Sequence, residues 1–330
     1  EYIPGTTSHY RGEHLRQLLQ PVEFRVIDTN IPVLGTCKVF RSLGWRTKRG
    51  PLIWNINSYI NKGLNLTDQF DLAWIDKADF ISLDTIQNLR AKAAVMVHYT
   101  PDNAFYSNLS PHFTRTIPIF DYCITTKSFE ISSYKEYGAN AVLFCTQGFN
   151  PEVHTFQGTA TVKSGVIFIG LQEKYREHVI QELLDNDIQV KLGGIGWIPF
   201  VKRNSENPRL TYLGERIFGN TYAQAISGSV AGLGLLSKKF PEKHTTRTFE
   251  IPACGTVLVT ERNEELKRYF SADEALFFDH PSEIPALVRK LINEPGLMEQ
   301  IQNNGARRVR SGGFDNISIL NKLLKEIHII

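Results

Sequence analysis

The sequence contains few cysteines, and they follow no recognisable pattern. Its four cysteines, Cys37, Cys123, Cys145 and Cys254, form no CxxC pair and show no spacing typical of a metal centre. A disulfide scaffold or a thiolate metal site is therefore not expected. We interpret the cysteines as free thiols of a protein from a reducing compartment and expect a cytoplasmic location.

Long apolar runs and a strong charge imbalance are also missing. No run approaches the roughly 18 apolar residues that cross a membrane, and no signal peptide is visible. A net charge of +3 over 330 residues is too small to indicate nucleic acid as the main partner. The composition, with 42% hydrophobic and 22% charged residues, is that of a globular enzyme. The length predicts two domains of roughly 150 residues each.

Several catalytic and cofactor motifs are absent or incomplete. The sequence has no Walker loop, no G-x-S-x-G and no H-E-x-x-H. The glycine turn at 193–196 (GGIG) lacks the complete G-x-G-x-x-G of a dinucleotide-binding loop. Asp185-Asn186-Asp187 is a literal D-x-D, a pattern that can chelate a metal, but it lies between a predicted helix and a strand, where Asp and Asn are common turn residues. We therefore expect neither a metal nor a dinucleotide cofactor.

Predicted strands and helices alternate along the chain, which favours parallel sheets with helices on both faces. The first half predicts helices over 8–19, 53–62, 84–91 and 128–137, and strands over 23–28, 71–75, 94–98, 122–125 and 141–144. The second half predicts strands over 165–170, 189–192, 210–213, 231–236, 256–260 and 275–278. It predicts helices over 174–186, 220–227, 264–270, 281–293 and 317–327. The stretch 146–163 is polar and rich in Gly and Thr, so it predicts the domain boundary.

Within residues 237–270, Glu242 and Glu250 are two carboxylates eight residues apart. Between them Thr245 or Thr246 is a candidate N-cap of a short helix that Gly255 would end. Unpaired N–H groups at the start of that helix would face an anion such as a diphosphate. His244 and Arg247 would add side-chain donors, and carboxylates accept hydrogen bonds from sugar hydroxyls. The pattern therefore suggests a nucleotide-sugar site; the alternative is an ordinary helix with a solvated Glu250.

The stretch HTTRTFEIPACG (244–255), with its glutamates in E-x7-E spacing, resembles retaining glycosyltransferases of the two-domain GT-B fold. It is most similar to the bacterial spore-maturation-type branch of group 1 glycosyltransferases, and the resemblance covers roughly residues 164–310 well. It implies two Rossmann-like, doubly wound parallel-sheet domains facing a central cleft. The first would comprise 1–157, completed by a C-terminal helix within 315–330, and the second would comprise 158–314.

The same resemblance implies a function and roles for several residues. The protein would transfer a sugar from a nucleotide-diphosphate sugar to a glycan, lipid-linked or other acceptor, with retention of configuration and without a metal. Glu250 would bind the ribose, and Glu242 would lie near the sugar hydroxyls. The groups at 244–247 would stabilise the departing diphosphate. The donor is a substrate, so no cofactor is expected.

Residues just past predicted strands are further candidates, because ligands of open α/β sheets bind at the carboxyl ends of the strands. His98 would contact the donor sugar by resemblance to GT-B enzymes, whereas a buried core histidine is the alternative. Gly170 would let the backbone approach the diphosphate, and Lys174 or Arg176 at the start of the following helix would add charge, with solvated side chains as the alternative. Lys238 or the neighbouring Lys239 would act as a phosphate-binding lysine.

The segment 38–49 (KVFRSLGWRTKR) combines five basic residues with Phe40 and Trp45. Such a segment can bind an anionic membrane surface, a phosphorylated lipid acceptor or a polyanionic chain. A solvated helix face or loop is the alternative.

Two other functional classes remain open at this point. A GT-B-fold epimerase or hydrolase of sugar nucleotides would turn over the donor without an acceptor. A non-catalytic nucleotide-sugar-binding protein would keep the fold and lose the reaction.

Overall fold

The structure is a computed structural model that describes residues 2–155 and 163–330 and divides into two compact units. Unit 1 comprises Glu1–Thr146 and Leu320–Ile330, and unit 2 comprises Gln147–Ile319. The expected boundary at residues 157 and 158 lies outside the described residues. Each unit contains a sheet of parallel strands. The predicted α/β class with two parallel-sheet units is therefore confirmed.

Unit 1 is built on a sheet with the strand order β1-β2-β3-β4. The strands are β1 (Phe70–Asp76), β2 (Ala93–Thr100), β3 (Tyr122–Thr125) and β4 (Val142–Phe144). The helices are α1 (Thr7–Leu18), α2 (Asn30–Gly35), α3 (Lys38–Thr47), α4 (Pro51–Lys62), α5 (Leu83–Arg90), α6 (Pro111–Thr116) and α7 (Ile131–Glu136). Short 3₁₀ helices span Ile117–Ile119 and Ser128–Glu130. Neighbouring strands are consecutive in sequence because a crossover segment joins each parallel pair.

The strand expected over 23–28 is not formed. This segment is irregular, and the apolar side chains of Val22 and Val26 are exposed. Arg25 is held instead by an ion pair with Asp68 and lies over the ring of Phe70. Ile27 packs against the apolar side of α4, but Val22 and Val26 stay exposed, and alternation stabilises a strand only when one face is buried.

His98 lies within β2, which continues to Thr100, and its imidazole is buried in the core of unit 1. The residue is 1% exposed, and the rings of Phe113 and Phe120 are centred 4.5 and 5.4 Å from it. Its Nε2 lies 3.2 Å from the hydroxyl of Tyr134. The expectation that His98 follows a strand end and contacts a donor sugar is therefore wrong. His98 is a core residue because the strand is longer than the sequence pattern predicts.

Unit 2 contains a sheet with the strand order β10-β9-β8-β5-β6-β7. The strands are β5 (Val166–Ile169), β6 (Val190–Gly193), β7 (Leu210–Gly214), β8 (Ala231–Gly234), β9 (Val257–Glu261) and β10 (Leu276–Phe278). Because β5 and β8 are neighbours but far apart in sequence, the direction of winding reverses between them. Such a reversal is the topological switch point at which open α/β sheets bind ligands.

Helices cover both faces of this sheet, and the C-terminal helix ends in the segment assigned to unit 1. The helices are α8 (Lys174–Asp185), α9 (Ile198–Arg203), α10 (Gly219–Ser227), α11 (Arg247–Ala253), α12 (Leu266–Tyr269), α13 (Ile284–Asn293), α14 (Pro295–Ser311) and α15 (Asn316–Glu326). A 3₁₀ turn spans Pro281–Glu283. Apolar side chains from β5, β6, β8 and β9, with the fully buried Phe168 and Trp197, form the core on one face.

Two sequence-based expectations can be compared directly with the structure. All four cysteines are free thiols; Cys37 is exposed and the other three are buried. Among the described residues, no helix is long and apolar enough to cross a membrane.

The buried imidazole of His98 predicts a pH-dependent stability. Burial lowers the pKa of His98 from 6.5 to about 3. Between these values the unfolded chain binds a proton that the folded chain does not, so stability falls as pH decreases below about 6.5. Between about pH 7 and about pH 5 this one group should cost about 2 kcal/mol.

Replacing His98 with Gln removes this titration, so the stability of His98→Gln should depend less on pH than that of the wild type. Urea unfolding followed by tryptophan fluorescence is a suitable measurement, because Trp45, Trp54 and Trp74 lie in unit 1. Equal losses of stability in the two proteins between the two pH values would contradict the assignment of His98 to the core.

Candidate functional site

The candidate site lies at the carboxyl ends of β5 and β8, on the two sides of the switch point. Gly170 directly follows β5, and residues 235–237 directly follow β8. We refer to residues 237–254, which contain Glu242 and Glu250, as the two-glutamate segment. It starts at the edge of the sheet where the fold predicts a ligand.

Two arginine side chains meet behind the ends of these strands. Arg176, in the first turn of α8, is 4% exposed and donates to the carbonyl oxygens of Leu171 at 3.0 Å and Leu235 at 3.3 Å. Arg247, the first residue of α11, donates to the carbonyl oxygens of Ile169 and Leu235, each at 3.3 Å. The Nε atoms of both arginines are buried and have no hydrogen-bond partner among the described residues.

Burial, and after it the neighbouring Arg247, lowers the pKa of Arg176 to about 10. The guanidinium therefore remains charged at neutral pH. The guanidinium groups of Arg176 and Arg247 repel each other. Nearby carboxylates and carbonyl oxygens must therefore balance their positive charge. The sequence predicted this accumulation of positive charge for both residues.

Two glutamates supply that compensation. Glu242 lies 3.8 Å from Arg176 and accepts a 2.8 Å hydrogen bond from the backbone N–H of Ser237. Glu173 lies 3.2 Å from Arg176 and accepts hydrogen bonds from the Ser237 hydroxyl and the Lys238 N–H at 3.1 and 3.2 Å. Both carboxylates thus hold the start of the two-glutamate segment against α8. Sequence analysis did not identify Glu173, whose one visible signal is its position immediately before a helix.

Glycine at position 170 permits this arrangement. A Cβ atom there would lie 2.9 Å from Phe168 and 3.0 Å from Nη1 of Arg247. Gly194 of the GGIG turn has a φ of +119°, and a Cβ atom on it would lie 2.1 Å from the carbonyl oxygen of Gly170. The turn therefore packs directly against the loop after β5, and Trp197 donates to the same carbonyl at 2.8 Å.

Glu250 lies in the first turn of α11 and has partners from two other parts of unit 2. Its Oε2 accepts a 2.6 Å hydrogen bond from the Tyr222 hydroxyl of α10, and its Oε1 lies 3.9 Å from Nε2 of His154. Burial, and then Glu250, raises the pKa of Tyr222 well above its usual value. Arg247 acts on Tyr222 in the opposite direction. Arg247 thus lies within electrostatic reach of the groups around both glutamates. Nothing in the sequence indicated Tyr222 or His154.

His244 does not present a free donor to a ligand. Its ring is 1% exposed, and its Nδ1 lies 2.5 Å from Oε1 of Glu265. Its Nε2 accepts a 3.0 Å hydrogen bond from the backbone N–H of Gln147. Since Nε2 accepts, Nδ1 carries the proton and donates to Glu265. The expectation that His244 donates to a diphosphate is therefore corrected: its ring connects the two-glutamate segment to two other loops.

The start of α11 also differs from the expected capping. Helix α11 begins at Arg247, and the side chain of Thr246 makes no capping hydrogen bond. The Thr245 N–H donates to the hydroxyl of Thr248 at 3.1 Å. The Thr245 hydroxyl is buried and has no partner within 2–155 and 163–330. Neither threonine therefore acts as the predicted side-chain N-cap, and the Thr245 hydroxyl is available to a ligand that reaches it.

Lys238 is exposed and already has an acidic partner. Its ammonium group forms an ion pair with Glu261 and lies 4.5 Å from the centre of the Tyr175 ring. The lysine expected to bind phosphate is thus held at the end of β9. Exposed ion pairs contribute little and exchange readily, so a phosphate could compete for this group.

The D-x-D triplet forms a turn at the end of α8. Asp187 has a φ of +63° and forms a 2.9 Å ion pair with Arg209, and Asp185 accepts from Gln181 at 2.8 Å. The side chains of Asp185 and Asp187 thus bind other residues of the protein, and the triplet is a turn, as the sequence predicted. Within the part of the chain that the structure describes, no group of three or more His, Cys, Asp or Glu residues could hold a metal.

Comparisons with known proteins identify the class of fold. A family described as glycosyl transferase-like matches residues 175–325 of this chain. A comparison with curated protein sequences gives no significant match. Among solved structures, the Anabaena protein HepE in complex with UDP has a TM-score of 0.60 at 15% identity, covering 85% of this chain and 83% of HepE.

Two further solved structures have similar scores. Sucrose-phosphate synthase from Thermosynechococcus elongatus has a TM-score of 0.58 at 12% identity, covering 84% of this chain and 77% of that one. The α,α-trehalose 6-phosphate synthase from Burkholderia multivorans has a TM-score of 0.59 at 12% identity, covering 96% and 83%. Identities this low establish a shared fold, and the fold of this chain is that of the GT-B glycosyltransferases.

The role of His244 can be tested by comparing stability with ligand binding. His244→Phe removes the acceptor of the Gln147 N–H and the donor to Glu265, which should cost about 1–3 kcal/mol. The melting temperature should then fall by roughly 2–4 °C for each kcal/mol lost in a unit of this size. Glu265→Gln keeps an acceptor for Nδ1 and is the matched control, with a smaller expected shift. An unchanged melting temperature together with weakened nucleotide binding would instead make His244 a ligand-binding residue.

Proposed function

We propose that this protein is a glycosyltransferase that transfers a sugar from a nucleotide-diphosphate sugar to an acceptor. The reaction proceeds with retention of anomeric configuration and without a metal ion. Support comes from the glycosyl transferase-like family match and from the similarity to HepE, whose solved complexes contain UDP and UDP-glucose. The structurally similar sucrose-phosphate and trehalose 6-phosphate synthases are also consistent with this proposal.

The observation that carries the proposal is a pair of arginines, the buried Arg176 and the half-buried Arg247, next to a glycine at the switch point. Arg176 and Arg247 both donate to backbone carbonyl oxygens at the ends of β5 and β8, and the missing side chain of Gly170 lets Nη1 of Arg247 lie against the loop after β5. A buried cation is costly and is uncommon without a function or a fixed partner. A diphosphate bound at this edge of the sheet would balance the positive charge that Glu242 and Glu173 balance only in part.

The two glutamates have different tasks in this proposal. Glu250 binds the ribose hydroxyls, and Tyr222 fixes the orientation of its carboxylate through the 2.6 Å hydrogen bond. Glu242 lies near the hydroxyls of the transferred sugar, and Ser237 and Arg176 hold it in place. The guanidinium of Arg176 is already engaged by two carbonyl oxygens and two carboxylates, so we assign it the positioning of Glu242.

Negative charge accumulates on the nucleoside diphosphate as the glycosidic bond breaks. Groups aimed at that charge before the reaction starts lower the barrier, because they need no reorganisation in the transition state. Arg247 supplies a fixed positive charge, and the buried Thr245 hydroxyl supplies a donor without a competing partner in the described structure. Thr246 and Lys238 complete the proposed phosphate environment from the exposed side.

The proposal predicts different defects for the two glutamates. If Glu250 binds the ribose, its contacts are the same in the ground and transition states, so Glu250→Gln should weaken binding of the free nucleoside diphosphate more than turnover. If Glu242 faces the transferred sugar, Glu242→Gln should bind the nucleoside diphosphate almost normally. Its turnover should fall on the order of a hundredfold or more. Calorimetry with the nucleoside diphosphate, together with turnover of each variant, measures both effects.

The donor for this experiment is first selected by a thermal-shift panel of UDP-, GDP-, dTDP- and CMP-sugars, since a bound ligand raises the melting temperature. Glu299→Gln, at an exposed position of α14, is the matched control and should behave like the wild type. Tyr222→Phe should reproduce a milder form of the Glu250→Gln defect. Near-normal behaviour of both glutamate variants would mean that the eight-residue spacing is a coincidence, and the donor site would have to be withdrawn.

A second test concerns the metal. If the D-x-D triplet is only a turn, EDTA should leave donor binding and transfer nearly unchanged. Asp187→Asn should also resemble the wild type, because Asn tolerates a positive φ as Asp does. A strict requirement for Mn²⁺ or Mg²⁺ in the transfer assay would exclude the metal-independent mechanism.

A further inference from the structure

The outward face of α3 is apolar, although it lies on the surface of unit 1. Val39 and Leu43 are four residues apart and so lie on one face of the helix, with Phe40 beside them. All three are exposed, Val39 to 73%. The buried side of α3 is marked by Gly44, where a Cβ atom would lie 2.6 Å from Cβ of Leu52 on α4. This is the reverse of an ordinary surface helix, whose apolar stripe faces the core.

Further exposed apolar side chains lie on the helices that adjoin α3. Ile31 and Leu34 of α2 are exposed, and Trp54 of α4 is 71% exposed. Helices α2 and α3 are joined by two residues and both pack on α4, where Asn55 donates to the hydroxyl of Thr36 at 2.9 Å. Scattered exposed apolar residues are normal, but a set concentrated on three adjoining helices indicates an interaction surface.

The same stretch of chain has no negative charge. Residues 29–67 contain six basic residues and no Asp or Glu: Lys38, Arg41, Arg46, Lys48, Arg49 and Lys62. The ion pairs described in unit 1 are formed by Arg11, Arg16, Arg25, Lys77 and Arg90. None of Lys38, Arg41, Arg46 and Arg49 takes part in these pairs. Arg46 also lies three residues after Leu43, on the apolar face itself.

We infer that this face of unit 1, formed by α2, α3 and the exposed side of α4, binds the surface of an anionic lipid bilayer. The exposed apolar side chains enter the boundary between headgroups and acyl chains, and the cations around them contact anionic headgroups.

A second copy of the chain is the less suitable occupant, because a symmetric contact would bring two acid-free basic surfaces together. A nucleic acid would use the cations but has no need of exposed Val39 and Leu43. Membrane binding by unit 1 is independent of the transfer reaction.

The full-length protein can be tested by sedimentation with lipid vesicles. Vesicles of phosphatidylcholine containing about 30% phosphatidylglycerol should bind the protein at about 0.1 M salt, and binding should decrease strongly at about 0.5 M salt. Pure phosphatidylcholine vesicles should bind it weakly. The charge variant Lys38→Gln/Arg46→Gln/Arg49→Gln should lose about tenfold or more in partitioning. The apolar variant Val39→Ser/Phe40→Ser/Leu43→Ser should lose a similar factor at unchanged charge.

The control variant is Lys202→Gln/Lys290→Gln/Arg307→Gln, which removes three positive charges from exposed positions of unit 2. Its vesicle binding should stay within about twofold of that of the wild type, since the face formed by α2, α3 and α4 is unchanged. Circular dichroism and the melting temperature establish that each variant is folded. Equal losses of vesicle binding in the charge and control variants would mean that net charge alone causes the binding, and would overturn the inference. Full binding by the apolar variant, or binding to RNA or an acidic protein but not to vesicles, would also overturn it.

Discussion

Two guanidinium groups, one buried and one half-buried, determine the geometry of the candidate site. Arg176 and Arg247 open two different helices, and both donate to the carbonyl oxygen of Leu235 after β8. Each charge loses its hydration on burial, which costs several kcal/mol per ion unless other groups compensate. Glu173 and Glu242 provide part of this compensation. Because a shift of either helix would separate a buried charge from its partners, α8, α11 and the end of β8 are held in one arrangement.

Glycine residues let the other loops approach these charges. Nη1 of Arg247 occupies space next to Gly170 that a side chain would fill, and Gly194 brings the GGIG turn against the same backbone. Trp197 then closes the contact from behind through its hydrogen bond to the carbonyl of Gly170. The turn resembles an incomplete dinucleotide loop in sequence, but its glycines serve close packing at the switch point. This explains why a glycine-rich turn occurs here without the rest of a dinucleotide motif.

Sequence patterns predicted those features that depend on neighbouring residues. The strand over 122–125 was found as Tyr122–Thr125, and the helix from Lys174 was found with its end within one residue. Helix α14 was missed because Gln302, Gly305 and Ala306 lie between Ile301 and Val309 on its buried side, so its apolar stripe is interrupted. The contacts of Glu173 with Ser237 and of Tyr222 with Glu250 span 64 and 28 residues, so no local pattern could reveal them. The sequence could supply candidate residues such as Glu242 and Glu250, but it could supply neither their hydrogen-bond partners nor Glu173 and Tyr222.

The small net charge of +3 conceals two different uses of positive charge. In unit 2, Arg176 is buried and Arg247 is half-buried, and both donate to fixed backbone carbonyl oxygens, so their interactions are short-ranged and depend on fixed geometry. On α3 of unit 1, Lys38 and Arg46 are exposed and outside the described ion pairs, so they keep their hydration and act over roughly a Debye length. Buried charges can orient a reacting group because they cannot move without an energetic penalty. Exposed charges beside apolar side chains cannot orient anything by themselves, but they can attract an extended anionic surface. The two arrangements therefore correspond to the two proposals, substrate orientation in unit 2 and surface attachment in unit 1.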